Sequence, residues 1–539
     1  MKRRRSAIFG MVAALLMCGA WRAAAVASSD QVALLIGRSR TALGPGLAKL
    51  KTIHFAGAIS AGSINGTAEE WIDVAGGRFA STTDAGPITN GYGYDGRTAW
   101  RSDSKGMVLP QNGPLSKAVI ATELFDSTYA LYKPRYGGAS VAYLGTRSDG
   151  GKNYEAVSIT PKGGYAEEMW FDAETALPVR EIIDLGIGPV TTYLMGYQNV
   201  GGLMLPSGQK ITEQSELKDA YGHQLRHTSI ETTYEYNRIE INVADIDKDL
   251  AMPPAPPSDV SLPGGETRIP FTMRNFWITV EVRLNGKGPF EMMLDSGGHN
   301  ILSPSVAWQA GAQDTGEILQ TGDVPMLKPL RYARVETMEL GGATLKRQDF
   351  SVRLVGNIFT RDGMIGYEVF ERFITTIDYV NRQIILRLPD NDGAREPAQS
   401  DGEAALPLVF DDTKPGTACI VAGTDATCIA DTGSALPLTL SGQFTKANPN
   451  VQPPWYAGAY GRVSFGGSGS EVREGPVSTF QIGPFAMANV NTMYTTAANG
   501  ALAYYLSALV GNPIWSQFDL TFDYRRQVLR LKPNSNFKK

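Results

Sequence analysis

The chain has 539 residues, of which 43% are hydrophobic and 19% are charged, and its formal net charge is −4. This length predicts more than one domain, and the composition argues against a disordered or fibrous protein. The acidic balance argues against a dedicated binder of nucleic acid or of anionic membranes, because both attract basic surfaces.

Residues 1–27 have the pattern of a secretory signal. A basic start, Lys2 to Arg5, precedes a short apolar run and the small-residue site Ala25-Val26-Ala27. The apolar run is too short to span a bilayer as a helix. Without these residues the chain has 45 basic and 54 acidic residues, a net charge of −9. We therefore expect an exported protein of the periplasm or cell envelope, with secretion as an alternative. Lipid attachment at Cys18 is disfavoured by Met17 before it.

Residues 28–250 predict a β-rich domain. A helix from Asp30 to Leu50, interrupted at Gly44, precedes short alternating runs separated by turn signals, the pattern of a large antiparallel sheet. The phrase Phe171 to Arg180 predicts strand, turn and strand. Together these features resemble the periplasmic lipoprotein-carrier fold, a half-open β-barrel around an apolar cavity. The resemblance implies a lipid or acylated ligand; the alternative is a spacer domain without one.

Two further patterns in this region predict no ligand site. Residues 91–96 fit G-x-G-x-x-G, but no helix follows, so a hairpin turn is expected rather than a nucleotide site. His223 and His227 have the spacing of a metal pair on a helix, yet their surroundings favour a strand and offer no third ligand. The sequence thus predicts neither a metal nor a cofactor.

The rest of the chain contains an internal duplication. Residues 363–389 reappear as 508–533, so that Gly366 matches Gly511 and Asp378-Tyr379 matches Asp523-Tyr524. Two such long units indicate two lobes rather than a solenoid. The predicted boundaries are a Pro-rich linker (251–266), lobe one (267–389), an inter-lobe linker (390–405) and lobe two (406–539).

Each unit carries an apolar strand that ends in an Asp-Ser/Thr-Gly turn. The turns are Asp295-Ser296-Gly297 and Asp431-Thr432-Gly433, the second followed by Ser434. Such a turn brings a carboxylate out of a core, the glycine lets the backbone double back, and the hydroxyls can join the two turns. Carboxylates that meet at a pseudo-two-fold axis share a proton, so that one can act as general base and the other as acid.

This arrangement resembles the pepsin/retropepsin superfamily of aspartic peptidases, and most closely its bacterial retropepsin-like members. The resemblance implies that Asp295 and Asp431 are catalytic and that Gly366 and Gly511, each after two apolar residues, pack under the turn of their own lobe. It implies a flap at Tyr460, with Leu330–Val335 as a weaker candidate in lobe one. His299, close to Asp295, departs from the family pattern. It is either incidental or a group that alters the titration of the pair.

Cys419 and Cys428 are the two cysteines left after export. A turn at Gly423-Thr424 would place them directly opposite each other on a hairpin, with Cα atoms about 4.5 Å apart. A disulfide is predicted; the alternative is two buried thiols.

The sequence therefore predicts a mainly β protein that is an exported, monomeric aspartic endopeptidase acting on peptides or proteins. The alternative is a non-catalytic periplasmic carrier or scaffold, which would bind lipid or acylated peptide through its N-terminal domain.

Overall fold

The computed structural model describes residues 29–184, 188–218, 224–254, 258–322, 329–353, 362–389, 401–452, 460–465, 468–495 and 507–538. The predicted signal sequence, His223, and part of each predicted linker lie outside these ranges. The described chain is mainly β, as predicted. In its described part, no helix combines the length and the apolar character that crossing a bilayer requires.

The described residues of the N-terminal half, 29–250, include three α-helices, four 3₁₀-helices and thirteen strands. The α-helices are α1 (29–43), α2 (Pro114–Ser127) and α3 (Asp247–Leu250). The 3₁₀-helices are Pro45–Lys49, Gly86–Ile88, Ala130–Tyr132 and Pro134–Gly138. The strands are β1 (Thr52–Ala61), β2 (Ile64–Asp73), β3 (Arg78–Asp84), β4 (Asn90–Tyr94), β5 (Ala99–Ser102), β6 (Val108–Pro110), β7 (Ser140–Asp149), β8 (Lys152–Thr160), β9 (Glu167–Asp172), β10 (Pro178–Asp184), β11 (Pro189–Val200), β12 (Leu203–Lys218) and β13 (Gln224–Ile241).

These strands form one antiparallel sheet from two meanders, β1 to β6 and β7 to β13, joined where β1 pairs with β13. Helices α1 and α2 cover one face, where Leu35 and Phe125 pack with Phe79 and Phe171 in a buried cluster. As predicted, β9 and β10 form a strand-turn-strand unit, and residues 91–96 lie at the β4–β5 hairpin.

The described residues of the C-terminal half, 258–538, contain twenty-three strands. They are β14 (Val260–Ser261), β15 (Glu266–Arg274), β16 (Trp277–Leu284), β17 (Lys287–Leu294), β18 (Ile301–Leu302), β19 (Gln313–Ile318), β20 (Gln320–Gly322), β21 (Leu330–Leu340), β22 (Ala343–Val352), β23 (Gly363–Ile365), β24 (Ile374–Asp378), β25 (Gln383–Arg387), β26 (Ala404–Pro407), β27 (Val409–Asp411), β28 (Lys414–Val421), β29 (Thr424–Ala430), β30 (Leu438–Leu440), β31 (Tyr460–Phe465), β32 (Ser468–Ile482), β33 (Phe485–Thr495), β34 (Ala508–Val510), β35 (Phe518–Asp523) and β36 (Val528–Pro533).

Its described helices are short. They are α4 (Pro304–Ala310), α5 (Tyr367–Phe370), α6 (Gly442–Ala447), α7 (Asn512–Trp515) and the 3₁₀-helix Pro449–Val451. Two of them, α5 and α7, follow the repeated glycines Gly366 and Gly511.

The duplicated units meet in a shared sheet. Its order β15-β25-β24-β35-β36-β26 brings the repeated strands β24 and β35 together as antiparallel neighbours. Thr376 lies opposite Thr521, and their hydroxyl oxygens are 2.8 Å apart. Equivalent residues of the two copies thus face each other, as a pseudo-two-fold axis requires. Strand β26 begins at Ala404, so the predicted inter-lobe linker ends two residues too late.

The two halves are in direct contact. The backbone N–H of Gly113, just before α2, donates to the carbonyl of Phe410 in lobe two at 2.9 Å. Arg101 pairs with Asp412 at 2.7 Å, and Leu109 is part of the same buried cluster as the C-terminal core. Strand β20 of lobe one also pairs with β13. The N-terminal half is therefore packed against both lobes rather than attached only through residues 251–266.

Cys419 and Cys428 form a disulfide, with Cα atoms 5.8 Å apart. The predicted register of their hairpin is wrong, because Cys419 pairs with Ala426 and Cys428 with Thr417. The turn residues are Ala422 and Gly423, both with positive φ (46° and 78°). Glycine takes the second central position of the turn, and β-branched Thr424 begins β29. The cysteines are therefore diagonal neighbours on one face.

Candidate active site

The two predicted aspartates occupy equivalent places in the two lobes. Asp295 follows β17, whose last residues are buried, and its backbone N–H donates to the carbonyl of Ile365 at 3.1 Å. Asp431 follows β29, and its backbone N–H donates to the carbonyl of Val510 at 3.0 Å. The strand before each aspartate therefore pairs with a parallel strand: β17 with β23 in lobe one and β29 with β34 in lobe two.

The turns hold the carboxylates in place. One oxygen of Asp295 accepts backbone hydrogen bonds from Gly297 at 3.0 Å and from Gly298 at 2.9 Å. The corresponding oxygen of Asp431 accepts one from Gly433 at 2.8 Å. Backbone N–H groups thus hold one oxygen of each carboxylate in a fixed position.

The two carboxylates converge on one space. A Cβ atom on Gly433 would lie 2.4 Å from Oδ2 of Asp295 and 3.1 Å from Oδ1 of Asp431. Only glycine leaves room for both acids at this point. The structure therefore brings together the residues that the duplication predicted as neighbours.

Ser296 and Thr432 join the two turns across the axis. The backbone N–H of Ser296 donates to Oγ1 of Thr432 at 2.9 Å, and that of Thr432 donates to Oγ of Ser296 at 3.1 Å. Each hydroxyl then donates into the other lobe, to the carbonyls of Ala430 at 2.6 Å and Leu294 at 3.1 Å. Both residues are fully buried, so this reciprocal network sets the separation of the carboxylates.

We expect Thr432→Val to lower the free energy of unfolding by about 2–4 kcal/mol, because two buried backbone groups lose their partners. Peptidase activity should fall with it, since the spacing of the acids is no longer fixed. Thr432→Ser keeps the hydroxyl and is the matched control, with a much smaller loss. Chemical denaturation of both variants measures the difference; equal stabilities would show that the network contributes nothing.

Gly366 and Gly511 lie where the predicted lobe packing requires them. A Cβ atom on Gly366 would be 1.7 Å from the carbonyl oxygen of Gly298, and one on Gly511 would be 2.2 Å from that of Leu436. The next residues hydrogen-bond the same loops: Asn512 donates from its backbone to the carbonyl of Ser434 at 2.9 Å. The loop after each aspartate thus packs against a glycine, because a side chain at Gly366 or Gly511 would clash with that loop.

A second set of contacts supports the turns and was missed by sequence reasoning. Trp277 Nε1 donates to the carbonyl of Gly433 at 3.1 Å, and Thr413 Oγ1 donates to that of Gly297 at 2.9 Å. Tyr524 donates from its hydroxyl to the carbonyl of Ser296 at 2.5 Å. Extending the duplication upstream would have found the first two, because Trp277 and Thr413 each lie 18 residues before the aspartate of their own lobe (277 to 295 and 413 to 431).

The electrostatics of the pair follow from burial and mutual repulsion. Burial raises the pKa of Asp295, against the backbone donors that lower it. Burial also raises the pKa of Asp431 well above its usual range, and the charge of Asp295 raises it further. Lys414 lowers the pKa of both carboxyls. The acids therefore titrate as a coupled pair, in which burial and mutual repulsion favour one shared proton.

His299 is the neighbour that departs from the family pattern. Its side chain is about half exposed (51%), and Nδ1 lies 2.9 Å from Oε1 of Glu368. The charge of His299 lowers the pKa of Asp295, after the larger effects of burial and of the backbone donors. His299 thus has a small effect on the pKa of Asp295, and its side chain pairs with Glu368 rather than with the dyad.

The predicted flaps are described only in part. Tyr460 is the first residue of β31, which pairs with β32, while Gly458 and Ala459 lie outside the described residues. Leu330–Val335 is part of β21, between β19 and β22. His227 lies in β13 opposite Glu216, on a strand as expected.

Comparison with known proteins supports the predicted resemblance of lobe one to aspartic peptidases. Residues 280–369 match the family model described as aspartyl protease. The predicted family resemblance is confirmed for this segment. The aspartyl protease match contains Asp295 and Gly366, and lobe two is connected to it through the internal duplication and the shared turn network. A search of curated proteins gave no significant match.

Several solved structures are similar at low identity. A DUF1329 family protein from Desulfovibrio piger matches with 11% identity and a TM-score of 0.28, covering 41% of this chain and 97% of that one. A LolA superfamily protein from Nitrosomonas europaea matches with 14% identity and a TM-score of 0.27, with the same shares covered. A domain described as a putative outer membrane lipoprotein-sorting protein, from Vibrio parahaemolyticus, has 10% identity and a TM-score of 0.27, covering 40% and 94%.

Proposed function

We propose that this chain is an exported aspartic endopeptidase whose dyad is Asp295 and Asp431. The observation that carries the proposal is the convergence of the two carboxylates beside Gly433, held by reciprocal hydrogen bonds between the turns. The aspartyl protease match over residues 280–369 supports it independently. The substrate class is peptides or unfolded proteins, as the aspartyl protease match in lobe one suggests.

The raised pKa of Asp431 gives the two acids different roles. Ionised Asp295 would take a proton from a water held between the carboxyls, and that water would attack the scissile carbonyl carbon. Protonated Asp431 would give its proton to the carbonyl oxygen as the gem-diol forms. Asp295 would then pass its proton to the leaving nitrogen as the C–N bond breaks, and a gem-diol hydroxyl would return its proton to Asp431 as the carbonyl reforms. This cycle restores the pair, so no metal or covalent intermediate is needed.

The function is tested by incubating the chain without residues 1–27 with an unfolded protein mixture between about pH 3 and 7, and identifying the fragment ends. Cleavage that a transition-state peptide mimic inhibits would support the peptidase. A folded protein without cleavage anywhere in that range would favour the non-catalytic carrier. Carboxylates on α2 and on strands β9 and β10 lie between the helix and the N-terminal sheet, which does not favour an acyl chain as the ligand of this half.

Lys414 should set the pH range of activity. Its charge lowers the pKa of both Asp295 and Asp431, so Lys414→Met should raise both values. The active form carries one proton on the pair, and its pH window should therefore move upward. Lys446→Met, in the exposed part of α6, is the control that leaves the profile unchanged. Profiles of kcat/KM against pH that coincide for wild type and Lys414→Met would contradict this role.

A further inference from the structure

Three carboxylates from distant parts of the N-terminal half meet in its interior. Asp126 lies near the end of α2, Glu167 begins β9, and Glu181 lies in β10. One carboxylate oxygen of each lies within 4.8 Å of those of the other two. The proposed peptidase chemistry uses none of them.

The strand register explains why two of the acids face α2 together. Glu167 lies opposite Ile183 in the β9–β10 pair, and Glu181 is two residues from Ile183 on the same strand. Glu167 and Glu181 therefore project from the same face as diagonal neighbours. That face also carries buried Phe171, and on it Glu167 is buried while Glu181 is half-buried.

Glu167 is the residue that makes this more than an acidic cluster. Its exposure is 3%, and neither carboxylate oxygen accepts a hydrogen bond from an N–H or hydroxyl group among the described residues. The polar group that faces it is the carboxyl of Asp126. A buried carboxylate without a donor is costly, and an ion or proton must compensate it.

The groups around Glu167 and Glu181 add negative charge rather than a compensating positive charge. Burial and the charges of Glu181 and Glu123 together raise the pKa of Glu167 to about 8, although its contact with Asp126 lowers it. Burial also raises the pKa of Glu181 to about 7, again with a contribution from Glu123. Among the described residues, no basic side chain accounts for any part of these two shifts.

We propose that Asp126, Glu167 and Glu181 bind a calcium ion. Carboxylate oxygens are the preferred ligands of hard divalent cations. Two oxygens at 2.3–2.6 Å from calcium lie at most about 5 Å apart, which matches the observed separations. Calcium accepts six to eight oxygens in flexible geometry, so bidentate carboxylates and water can complete the shell, whereas magnesium demands a near-ideal octahedron.

The ion would fasten α2 to the hairpin of β9 and β10. The other end of α2 is already attached to lobe two, where the backbone N–H of Ser116 donates to Asp411 at 2.7 Å. A bound calcium would therefore stabilise the helix that connects the N-terminal sheet with the C-terminal half. Its expected effect is on stability, so this inference stands or fails separately from peptidase activity.

The test is calcium titration of the chelator-treated chain lacking residues 1–27, followed by calorimetry and by thermal unfolding. We expect one calcium per chain, with a dissociation constant at or below about 1 mM, and a higher Tm in its presence. Glu167→Gln should weaken binding at least about tenfold, because it removes a ligand charge. Glu168→Gln is the matched control: this neighbour faces the other way and pairs with Arg147 at 3.1 Å.

If Glu167→Gln fails to fold, Asp126→Asn provides the same measurement from the helix side. Loss of the calcium-dependent rise in Tm in either variant, with Glu168→Gln unchanged, supports the site. Absence of saturable calcium binding to the wild-type chain overturns it, as does equal binding by wild type and Asp126→Asn. Binding of magnesium but not calcium overturns the assignment of the ion.

Discussion

Asp431→Asn is expected to reduce kcat by about 10³-fold or more, because an amide cannot share the proton of the dyad. The fold should survive the change. The Asn side-chain oxygen can still accept the backbone hydrogen bond that Gly433 donates at 2.8 Å. A neutral amide also removes the repulsion that raises the pKa of Asp431, so the variant should be at least as stable as wild type at neutral pH.

The measurement is cleavage of an unfolded protein at the pH optimum, with thermal unfolding of each variant alongside. Asp295→Asn should lose activity to the same extent, since either acid is needed. Asp425→Asn changes an exposed acid on the β28–β29 hairpin of the same lobe, and should leave kcat unchanged. Undiminished cleavage by Asp431→Asn would contradict the dyad mechanism, whereas no cleavage by wild type or variant, with both folded, would favour the carrier alternative.

Arg372→Met is expected to lower the free energy of unfolding by about 3–5 kcal/mol, because it leaves buried acids without their counter-ion. The side chain of Arg372 is 1% exposed. Its Nε lies 2.8 Å from Asp259, and its Nη2 lies 3.0 Å from Asp103. It also pairs with the adjacent, buried Glu371. One guanidinium thus joins lobe one to the N-terminal half and to the segment between them.

Chemical denaturation of Arg372→Met measures this effect. Arg387→Met is its control, because Arg387 pairs with Glu266 at 2.7 Å while its side chain is 44% exposed. Exposed pairs contribute about 0–1 kcal/mol, so the control should stay close to wild type. Equal losses in the two variants would mean that burial of Arg372 adds nothing to its pairs.

These contacts bear on whether the N-terminal half is a removable segment. Arg101 and Lys414 lower the pKa of Asp412, although burial raises it, and Asp412 precedes Thr413, which donates to the turn of Asp295. The N-terminal half therefore supports residues that contact the dyad. Removal of this half would take away Leu109 and Arg101, exposing Phe410 and leaving Asp412 without Arg101, so we expect it to remain part of the working protein.

The sequence by itself determined the dyad and the architecture around it. Asp295 and Asp431 could be predicted because each follows an apolar strand and precedes a glycine turn, in two copies with the same downstream motif. Gly366 and Gly511 followed from the same repetition. The disulfide partners were also predictable, since Cys419 and Cys428 are nine residues apart on one hairpin. All of these signals are local or periodic.

The tertiary structure alone decided what depends on contacts between distant segments. The roles of Lys414 and Arg372 come from acids that folding brings near them, and no spacing in the sequence records this. The register of the cysteine hairpin depended on positive φ at Ala422 and Gly423, a choice that glycine alone does not fix. The cluster of Asp126, Glu167 and Glu181 was not predicted, because these acids converge only when α2 packs on the sheet. Burial in that position raises the pKa values of Glu167 and Glu181, an effect that the sequence does not show.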